Sequence, residues 1–161
     1  MSNCFIILAG GESKRFNSKI PKPYSLYKGK PLILHSINKV QNYKKINKIV
    51  LVINKKHKKF IKKLNIKNIK IIEGGKTRAE SSYKGLKSIS KYSIKNVMIH
   101  DAARPNFSKQ LLEKLINELK INDCVIPAIK SIDSVKEKLG LAASCIITFL
   151  IFKFLMFFKA L

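Results

Sequence analysis

Only three of the 33 basic residues in this chain are arginines, and each lies in a short segment suited to binding a nucleotide. Arg15 and Arg78 each follow a pair of glycines, and Arg104 follows a His-Asp pair. A guanidinium presents a rigid fork of donors that matches phosphate oxygens or a base edge, whereas a lysine ammonium is a mobile point charge. Because lysine is used at every other basic position, these three arginines indicate sites that need the fork.

The first of these segments, residues 8–16, places Gly10 and Gly11 directly after an apolar run. Residues without a Cβ can take tight turns and expose successive amide N–H groups, so this pair predicts a phosphate-binding loop. Its spacing matches neither the dinucleotide fingerprint nor the P-loop, which disfavours hydride transfer and ordinary ATP hydrolysis. Arg15 and Lys22 would place two cations against a triphosphate, as transfer at an α-phosphate requires.

Asp101 ends another apolar run, directly after His100. A carboxylate at a strand end beside phosphates is a natural ligand for magnesium. The structural alternative is an Asx turn or a helix cap that leads into Pro105. We expect His100 to pack in the strand rather than to act as a base.

Short β-branched apolar runs alternate with segments of helical periodicity along most of the chain. The predicted strands are residues 5–9, 48–53, 69–73, 96–100 and 124–127. The predicted helices are residues 32–41, 56–64, 78–89 and 109–119. This alternation predicts an α/β fold with an open, mostly parallel sheet and flanking helices. Ligands bind such sheets beyond the carboxyl ends of the strands, so the three arginine segments should converge on one crevice.

The net charge of +24 and the isoelectric point near 10.1 would suit a nucleic-acid-binding module, which stays open as an alternative. The lysines, however, are spread almost evenly and carry no aromatic-interleaved stripe, so we expect a solvated surface that attracts anionic substrates rather than a specific nucleic acid. The three cysteines are odd in number and widely spaced, which argues against a disulfide framework and against a zinc site. A reducing cytoplasm is the expected location.

The character of the chain changes after Lys138, because residues 139–161 contain no acidic residue and are dominated by Phe, Leu and Ile. Residues 141–158 are just long enough to be a transmembrane candidate, although Lys153 lies inside the run. Three interpretations stay open: a truncated or frame-shifted end, a helix that packs on the body or on a partner, and a membrane anchor. We therefore divide the chain into a domain of residues 1–138 and an apolar tail of residues 139–161.

Four segments in order resemble the 2-C-methyl-D-erythritol 4-phosphate cytidylyltransferase family of the non-mevalonate isoprenoid pathway. They are residues 8–16 with Pro21-Lys22-Pro23-Tyr24, residues 74–81, residues 100–105, and Asp133-Ser134-Val135-Lys136. The first is shared with nucleotidyltransferases generally. The second and third are more specific to the cytidylyltransferase branch, which also contains ribitol-5-phosphate cytidylyltransferases. The resemblance covers residues 3–138.

The resemblance implies a Rossmann-like fold of the nucleotide-diphospho-sugar transferase type, and a reaction that joins CTP to a sugar-alcohol phosphate with Mg²⁺ and releases pyrophosphate. By motif, Arg15 and Lys22 would stabilise the transition state. The nucleotide-binding residues implied are Ala9, Gly10, Gly11, Glu12, Ser13, Gly75, Arg78, Ser81 and Asp101. Asp101 would also serve the metal, and Arg104 and Ser134 would hold the phosphate of the second substrate.

The sequence departs from the family pattern in two small ways and one large way. Pro23 stands where the family usually has Gln, and Ser134 where it usually has Thr. The family's chain continues through an arm that interlocks two subunits and a final strand and helix, whereas here residues 139–161 follow. We therefore expect a chain truncated at the C-terminus, with the family's homodimer in doubt. An active enzyme for methylerythritol phosphate, an enzyme for ribitol phosphate and an inactive fragment stay open as alternatives.

Overall fold

A computed structural model describes residues 2–13, 16, 18–127 and the strand Phe149–Lys153. Its main sheet has six strands in the spatial order β5-β4-β1-β6-β8-β7. The strands are β1 (Asn3–Ala9), β4 (Lys48–Ile53), β5 (Lys70–Glu73), β6 (Asn96–Asp101), β7 (Cys124–Val125) and β8 (Phe149–Lys153). A separate hairpin pairs β2 (Leu26–Tyr27) with β3 (Lys30–Pro31).

Four neighbouring strands, β5, β4, β1 and β6, run parallel, and β8 is antiparallel to both β6 and β7. The prediction of an open, mostly parallel sheet is therefore confirmed. Strand β1 lies between β4 and β6, so Ile7 pairs with Leu51 on one side and with His100 on the other. Because helices cover both faces of such a sheet, the inner strands read as continuous apolar runs.

The helices are α1 (Leu32–Gln41), α2 (Lys58–Lys62), α3 (Arg78–Lys87) and α4 (Lys109–Glu118). Three of the four predicted helices are present with ends that differ by at most two residues. The fourth, predicted over residues 56–64, begins as a 3-10 turn over Lys55–His57 and continues as the single turn of α2. Asn54 caps this turn by accepting a hydrogen bond from the Lys56 N–H, which explains the early start.

The core consists of two apolar layers, one on each face of the sheet. Side chains alternate along a strand, so Phe5 and Ile7 of β1 join one layer, while Cys4 and Ile6 join the other. Burial raises the pKa of the Cys4 thiol to about 12, which keeps it protonated and apolar in character. His100 is also fully buried, and its Nε2 lies 2.8 Å from the Arg104 carbonyl oxygen. It therefore packs in its strand, as expected.

Strand β8 belongs to the apolar tail and pairs in register with β6, where Met98 lies opposite Ile151. Among the residues that the structure describes, no helix is long and apolar enough to cross a membrane. The remaining residues of the tail lie outside the described part of the chain. The three interpretations of residues 139–161 thus stay predictions.

Candidate active site

A cleft of about 970 Å³ opens beyond the carboxyl ends of the parallel strands. The residues that line it come from the loop after β1, the turn at Lys22, the turn after β4, the β5–α3 segment and the end of β6. In parallel α/β sheets this is the edge at which ligands bind. The arginine segments at Arg78 and Arg104 meet here, while Arg15 lies outside the described residues.

The glycine loop, residues 10–13, is fixed by hydrogen bonds to two neighbouring segments. Asn54 Nδ2 donates to the Gly10 carbonyl oxygen across 3.3 Å. Ser13 has a positive φ of 55° and accepts a hydrogen bond from the Lys22 N–H at its Oγ, 3.1 Å away. A Cβ added to Gly11 would meet no atom within 4 Å, so this residue faces open space in the cleft. The loop can therefore bring its backbone close to a ligand.

Lys22 begins a 3-10 turn that ends at Tyr24. The turn is closed by hydrogen bonds from the Tyr24 N–H to the Pro21 carbonyl and from the Ser25 N–H to the Lys22 carbonyl, at 2.8 and 3.3 Å. Pro23 and Tyr24 are buried, whereas Lys22 lines the cleft. Burial of its neighbours gives Lys22 a fixed base from which to reach a phosphate.

The second glycine pair is held against the first turn of α3. The Gly75 N–H donates to Ser81 Oγ at 3.0 Å, and a Cβ on Gly74 would lie 2.7 Å from the same oxygen. Thr77 caps α3 by accepting a hydrogen bond from the Glu80 N–H at 3.1 Å. The Glu80 carboxylate accepts one in turn from the Lys76 N–H at 2.8 Å, which lowers the pKa of Glu80.

Asp101 stands at the end of β6 between two guanidinium groups. Its Oδ1 accepts a hydrogen bond from Arg78 Nε at 3.1 Å, and its Oδ2 lies 3.7 Å from Arg104 Nε. The Arg104 N–H also donates to the Asp101 carbonyl oxygen at 3.0 Å, which closes the turn after β6. The Asp101 side chain is about a quarter exposed, so its carboxylate remains accessible from the cleft. The turn is thus made by the Asp101 backbone, and the Asp101 side chain is directed to the two arginines.

All of the predicted site residues that the structure describes line this one cleft. They are Ala9, Gly10, Gly11, Glu12, Ser13, Lys22, Gly75, Arg78, Ser81, Asp101 and Arg104. Arg15 and Ser134 lie outside the described residues. The functional roles of the whole set remain predictions.

Several further residues that line the cleft were not predicted from the sequence. They are Asn54, Lys55, Lys56, Lys76, Thr77, Glu80 and Lys84. The start of α3 was predicted correctly, and the Thr-x-x-Glu spacing of Thr77 and Glu80 is a capping-box signal that could have identified these two residues. The lysines carried no comparable signal, because they resemble all the others in a lysine-rich chain.

The cleft has an excess of positive charge. Lys22, Lys55 and Lys76 line it together with Arg78 and Arg104. The acidic residues on its wall are largely engaged: Glu80 lies 3.5 Å from Lys84, and Glu12 lies 3.8 Å from Lys56. A cleft lined by charges of one sign between low-dielectric walls focuses the electric field, so this cleft should attract polyanions such as triphosphates.

Comparison with known proteins agrees with this geometry. The family model for IspD, 2-C-methyl-D-erythritol 4-phosphate cytidylyltransferase, matches residues 3–147. The bifunctional enzyme IspD/IspF of Pelagibacter ubique is 73% identical over 140 residues, which cover 87% of this chain and 38% of that protein. A 2-C-methyl-D-erythritol 4-phosphate cytidylyltransferase of Clostridium botulinum is 38% identical, with 87% of this chain and 64% of that protein covered.

Solved structures give the same result. The crystal structure of 4-diphosphocytidyl-2C-methyl-D-erythritol synthase from Anaerococcus prevotii superimposes with a TM-score of 0.76 at 30% identity, covering 94% of this chain and 70% of that one. The bifunctional IspDF of Campylobacter jejuni superimposes with a TM-score of 0.77 at 33% identity, covering 95% of this chain and 41% of that one. The chain thus spans between about two fifths and two thirds of the length of the curated relatives described above. This chain belongs to the IspD family, 2-C-methyl-D-erythritol 4-phosphate cytidylyltransferase.

Proposed function

We propose that this chain carries the nucleotide-binding part of a cytidylyltransferase that joins CTP to 2-C-methyl-D-erythritol 4-phosphate. A phosphate oxygen of the acceptor forms a bond to the α-phosphorus of CTP. The bond between that phosphorus and the oxygen bridging to the β-phosphorus breaks, so pyrophosphate leaves. One observation carries the proposal: a single cationic cleft, in a chain of this family, is lined by three separate motif segments.

The glycine loop would cradle the triphosphate. Gly10 and Gly11 leave room for close approach, and the backbone N–H groups of residues 10–13 are the donors available for phosphate oxygens. The hydrogen bonds that Asn54 and Ser13 make within this region hold the loop before the ligand arrives. Such preorganised donors stabilise developing negative charge without reorganisation during the reaction.

Lys22 and Arg15 would neutralise charge on the α-phosphate as it becomes five-coordinate. The turn that carries Lys22 supports this role, because its buried residues fix the backbone from which the lysine side chain reaches the cleft. The role of Arg15 rests on its motif alone. The attacking oxygen belongs to an ionised phosphate and so needs no general base, and the transfer depends largely on positioning and electrostatics.

The second motif would bind the cytosine and ribose. Ser81 accepts a hydrogen bond from the Gly75 N–H, and its own hydroxyl hydrogen stays available to donate. Arg78, which starts α3, offers its remaining guanidinium donors beside it. Close packing of Gly74 against Ser81 fixes the wall on which the base would lie.

Magnesium would be shared between the protein and the nucleotide. Within the described residues no group of three or more His, Cys, Asp or Glu side chains could hold a metal alone. Asp101, accessible at the end of β6, is a suitable single carboxylate ligand, and Mg²⁺ commonly combines one or two carboxylates with substrate phosphates. The donor set therefore fits a metal that arrives with CTP and neutralises phosphate charge when bound.

Arg104 and Ser134 would hold the phosphate of the acceptor. The guanidinium of Arg104 is about two fifths exposed at the cleft, where it can reach an anion. The role of Ser134 rests on its motif. The free thiols Cys4 and Cys124 are compatible with the reducing cytoplasm in which we place the reaction.

The test is pyrophosphate release by the whole chain with CTP, ATP or GTP, in the presence and absence of Mg²⁺. Methylerythritol phosphate and ribitol 5-phosphate are offered in turn, and light scattering on the same preparation measures the oligomeric state. Release specific to CTP and methylerythritol phosphate would support the proposal. Release with ribitol phosphate alone would correct the acceptor, and folded protein that binds CTP without turnover would identify a nucleotide-binding fragment.

A further inference from the structure

Three aromatic side chains form a cluster between the glycine loop and the turn that carries Lys22. We call Tyr24, His57 and Phe60 the ring cluster. The rings of Tyr24 and Phe60 stack with centroids 5.1 Å apart and an interplanar angle of 16°. The His57 ring meets Tyr24 edge-on, with centroids 5.4 Å apart and an angle of 78°. These are favourable aromatic geometries, so each ring stabilises the placement of the others.

The ring cluster contains two buried polar atoms that ordinary packing does not explain. Tyr24 Oη and His57 Nδ1 have no hydrogen-bond partner in the part of the chain that the structure describes. Burying a polar group without a partner costs stability, and phenylalanine with an apolar neighbour would fill the space without that cost. Buried groups of this kind mark places where a requirement other than packing acts on the residue type.

On one side, the ring cluster reaches the end of β1, directly before the glycine loop. His57 interacts with the Ala9 backbone immediately before the loop, and it lies near the charge of Glu12. The His57 backbone N–H donates to the Asn54 carbonyl at 2.8 Å, and the Asn54 side chain donates to the Gly10 carbonyl. The His57 ring and the Gly10 carbonyl are thus joined through the end of β1 and through Asn54.

On the other side, the ring cluster carries Lys22. Tyr24 closes the same 3-10 turn that Lys22 begins, and its buried ring anchors that turn. The direct link between the loop and this turn is one exposed hydrogen bond, from the Lys22 N–H to Ser13 Oγ. An exposed bond of this kind competes with water, so its net contribution is small.

We propose that His57 is a positioning residue that couples the glycine loop to Lys22 through the ring of Tyr24, so that both segments close on the nucleotide together. This inference rests on the proposed function, because it assumes that CTP occupies the cleft. His57 touches neither substrate nor the reacting atoms, and it acts only through its neighbours. Lys22 then reaches its working position only when the loop has closed on the triphosphate.

The test measures hydrogen exchange by NMR, residue by residue, with and without CTP. In the parent chain, we expect saturating CTP to slow exchange in residues 10–13 and at the Tyr24 and Ser25 amides by about fivefold or more. In His57→Leu, CTP should still protect the loop, while protection of the Tyr24 and Ser25 amides falls below about twofold. Because CTP protects one segment and not the other, a general loss of stability cannot mimic this result.

Two further variants complete the design. His57→Gln keeps a donor near the position of Nε2 and should restore most of the coupled protection. His35→Leu is the matched control, because His35 Nε2 lies 2.7 Å from the Tyr27 carbonyl, outside the cleft, and its loss should leave both segments protected. If His57→Leu fails to fold, Tyr24→Leu replaces it and should uncouple the segments in the same way.

The outcomes separate the two proposals. A parent chain that shows no protection by CTP overturns the proposed function, and with it the basis of this inference. Protection of both segments by CTP in His57→Leu or Tyr24→Leu overturns the coupling and leaves the proposed function intact. Where the chain turns over, His57→Leu should lower kcat about tenfold and change the KM for CTP by less than about threefold. Equal losses in His57→Leu and His57→Gln would also count against the coupling.

Discussion

Arg78 Nε donates a hydrogen bond to Asp101 Oδ1 across 3.1 Å, which joins the first turn of α3 to the carboxyl end of β6. The other carboxylate oxygen lies 3.7 Å from Arg104 Nε. Both guanidinium groups are more than two fifths exposed, so the pairs contribute little to stability. Their effect is geometric: one carboxylate holds two arginines at the mouth of the cleft.

Arg78→Lys should weaken CTP binding about tenfold, although it keeps the charge, because lysine cannot donate from the Nε position while presenting further donors to the ligand. Titration calorimetry with CTP checks this. Arg78→Gln serves as the comparison that removes the charge as well. Affinity of Arg78→Lys within about twofold of the parent would show that charge alone suffices.

Asp101→Asn should reduce the dependence of CTP binding on Mg²⁺. The variant loses a candidate metal ligand and also frees two arginines, so CTP affinity measured with a chelator should rise or stay constant. With Mg²⁺ present, affinity should fall about tenfold relative to the parent. An unchanged ratio of the affinities with and without Mg²⁺ would remove Asp101 from the metal site.

Gly11→Ala should fold as well as the parent but bind CTP about tenfold more weakly. Its added Cβ meets nothing within 4 Å in the free protein, and its φ is not in the left-handed region, so alanine is tolerated there. The methyl group would, however, occupy the space through which a phosphate approaches. Thermal unfolding and CTP titration of the same sample separate the two effects, and undiminished affinity would place the phosphates elsewhere.

Gly85→Ala should destabilise the fold even though alanine favours helices. The added Cβ would lie 2.9 Å from Ile6 Cγ2, which is fully buried in the central strand. Overpacking costs about 1–3 kcal/mol, against a helix-propensity gain of about 1 kcal/mol, so we expect a net loss of roughly 1 kcal/mol. Urea unfolding measures it. Lys87→Ala, at an exposed position of the same helix, should change stability by less than about 0.5 kcal/mol.

His57 should make stability depend on pH below neutrality. Burial lowers the pKa of His57 from its ordinary value of 6.5, while Glu12 and the Ala9 backbone partly oppose this shift and Lys56 adds to it. The unfolded chain therefore takes up the proton first as the pH falls. The free energy of unfolding should decrease from about pH 6.5 down to the folded-state pKa, and it should be constant above pH 6.5 with respect to this group.

Urea unfolding of the parent and of His57→Gln at pH 5, 6, 7 and 8 isolates this contribution. Carboxylates such as Glu80 affect both proteins equally, so they cancel in the difference between the two. The difference in free energy of unfolding between the parent and His57→Gln should shrink as the pH falls. A difference that is constant across this range would mean that His57 does not titrate differently in the folded chain.

Much of the fold follows from local patterns in the sequence. The bounds of β4 and α1 match those predicted, because an uninterrupted β-branched run and a regular helical periodicity each favour one structure. The 3-10 turn over Lys55–His57 and the short α2 that follows it were predicted as one helix over residues 56–64. The earlier start follows from the Asn54 cap, which depends on where β4 ends in space. Pairing of β8 with β6 could not be predicted, since register between distant segments leaves no local signal.

The candidate site was also predictable where a local sequence pattern marks it. Glycine pairs and rare arginines stand out in a lysine-rich chain, so the segments around Gly10, Gly75 and Asp101 could be identified. Asn54 and His57 could not, because their roles depend on contacts with the loop after β1, more than 40 residues away in the chain. Only the three-dimensional structure brings such pairs together.

The central place of β1 has a consequence for synthesis on the ribosome. Its two neighbours, β4 and β6, are made later, and β6 ends at Asp101. The apolar residues 3–9 therefore leave the ribosome long before the strands that cover their edges exist. Unpaired apolar strands of this kind aggregate, so the nascent chain should bind chaperones strongly until about a hundred residues have emerged, and then release them as the sheet closes.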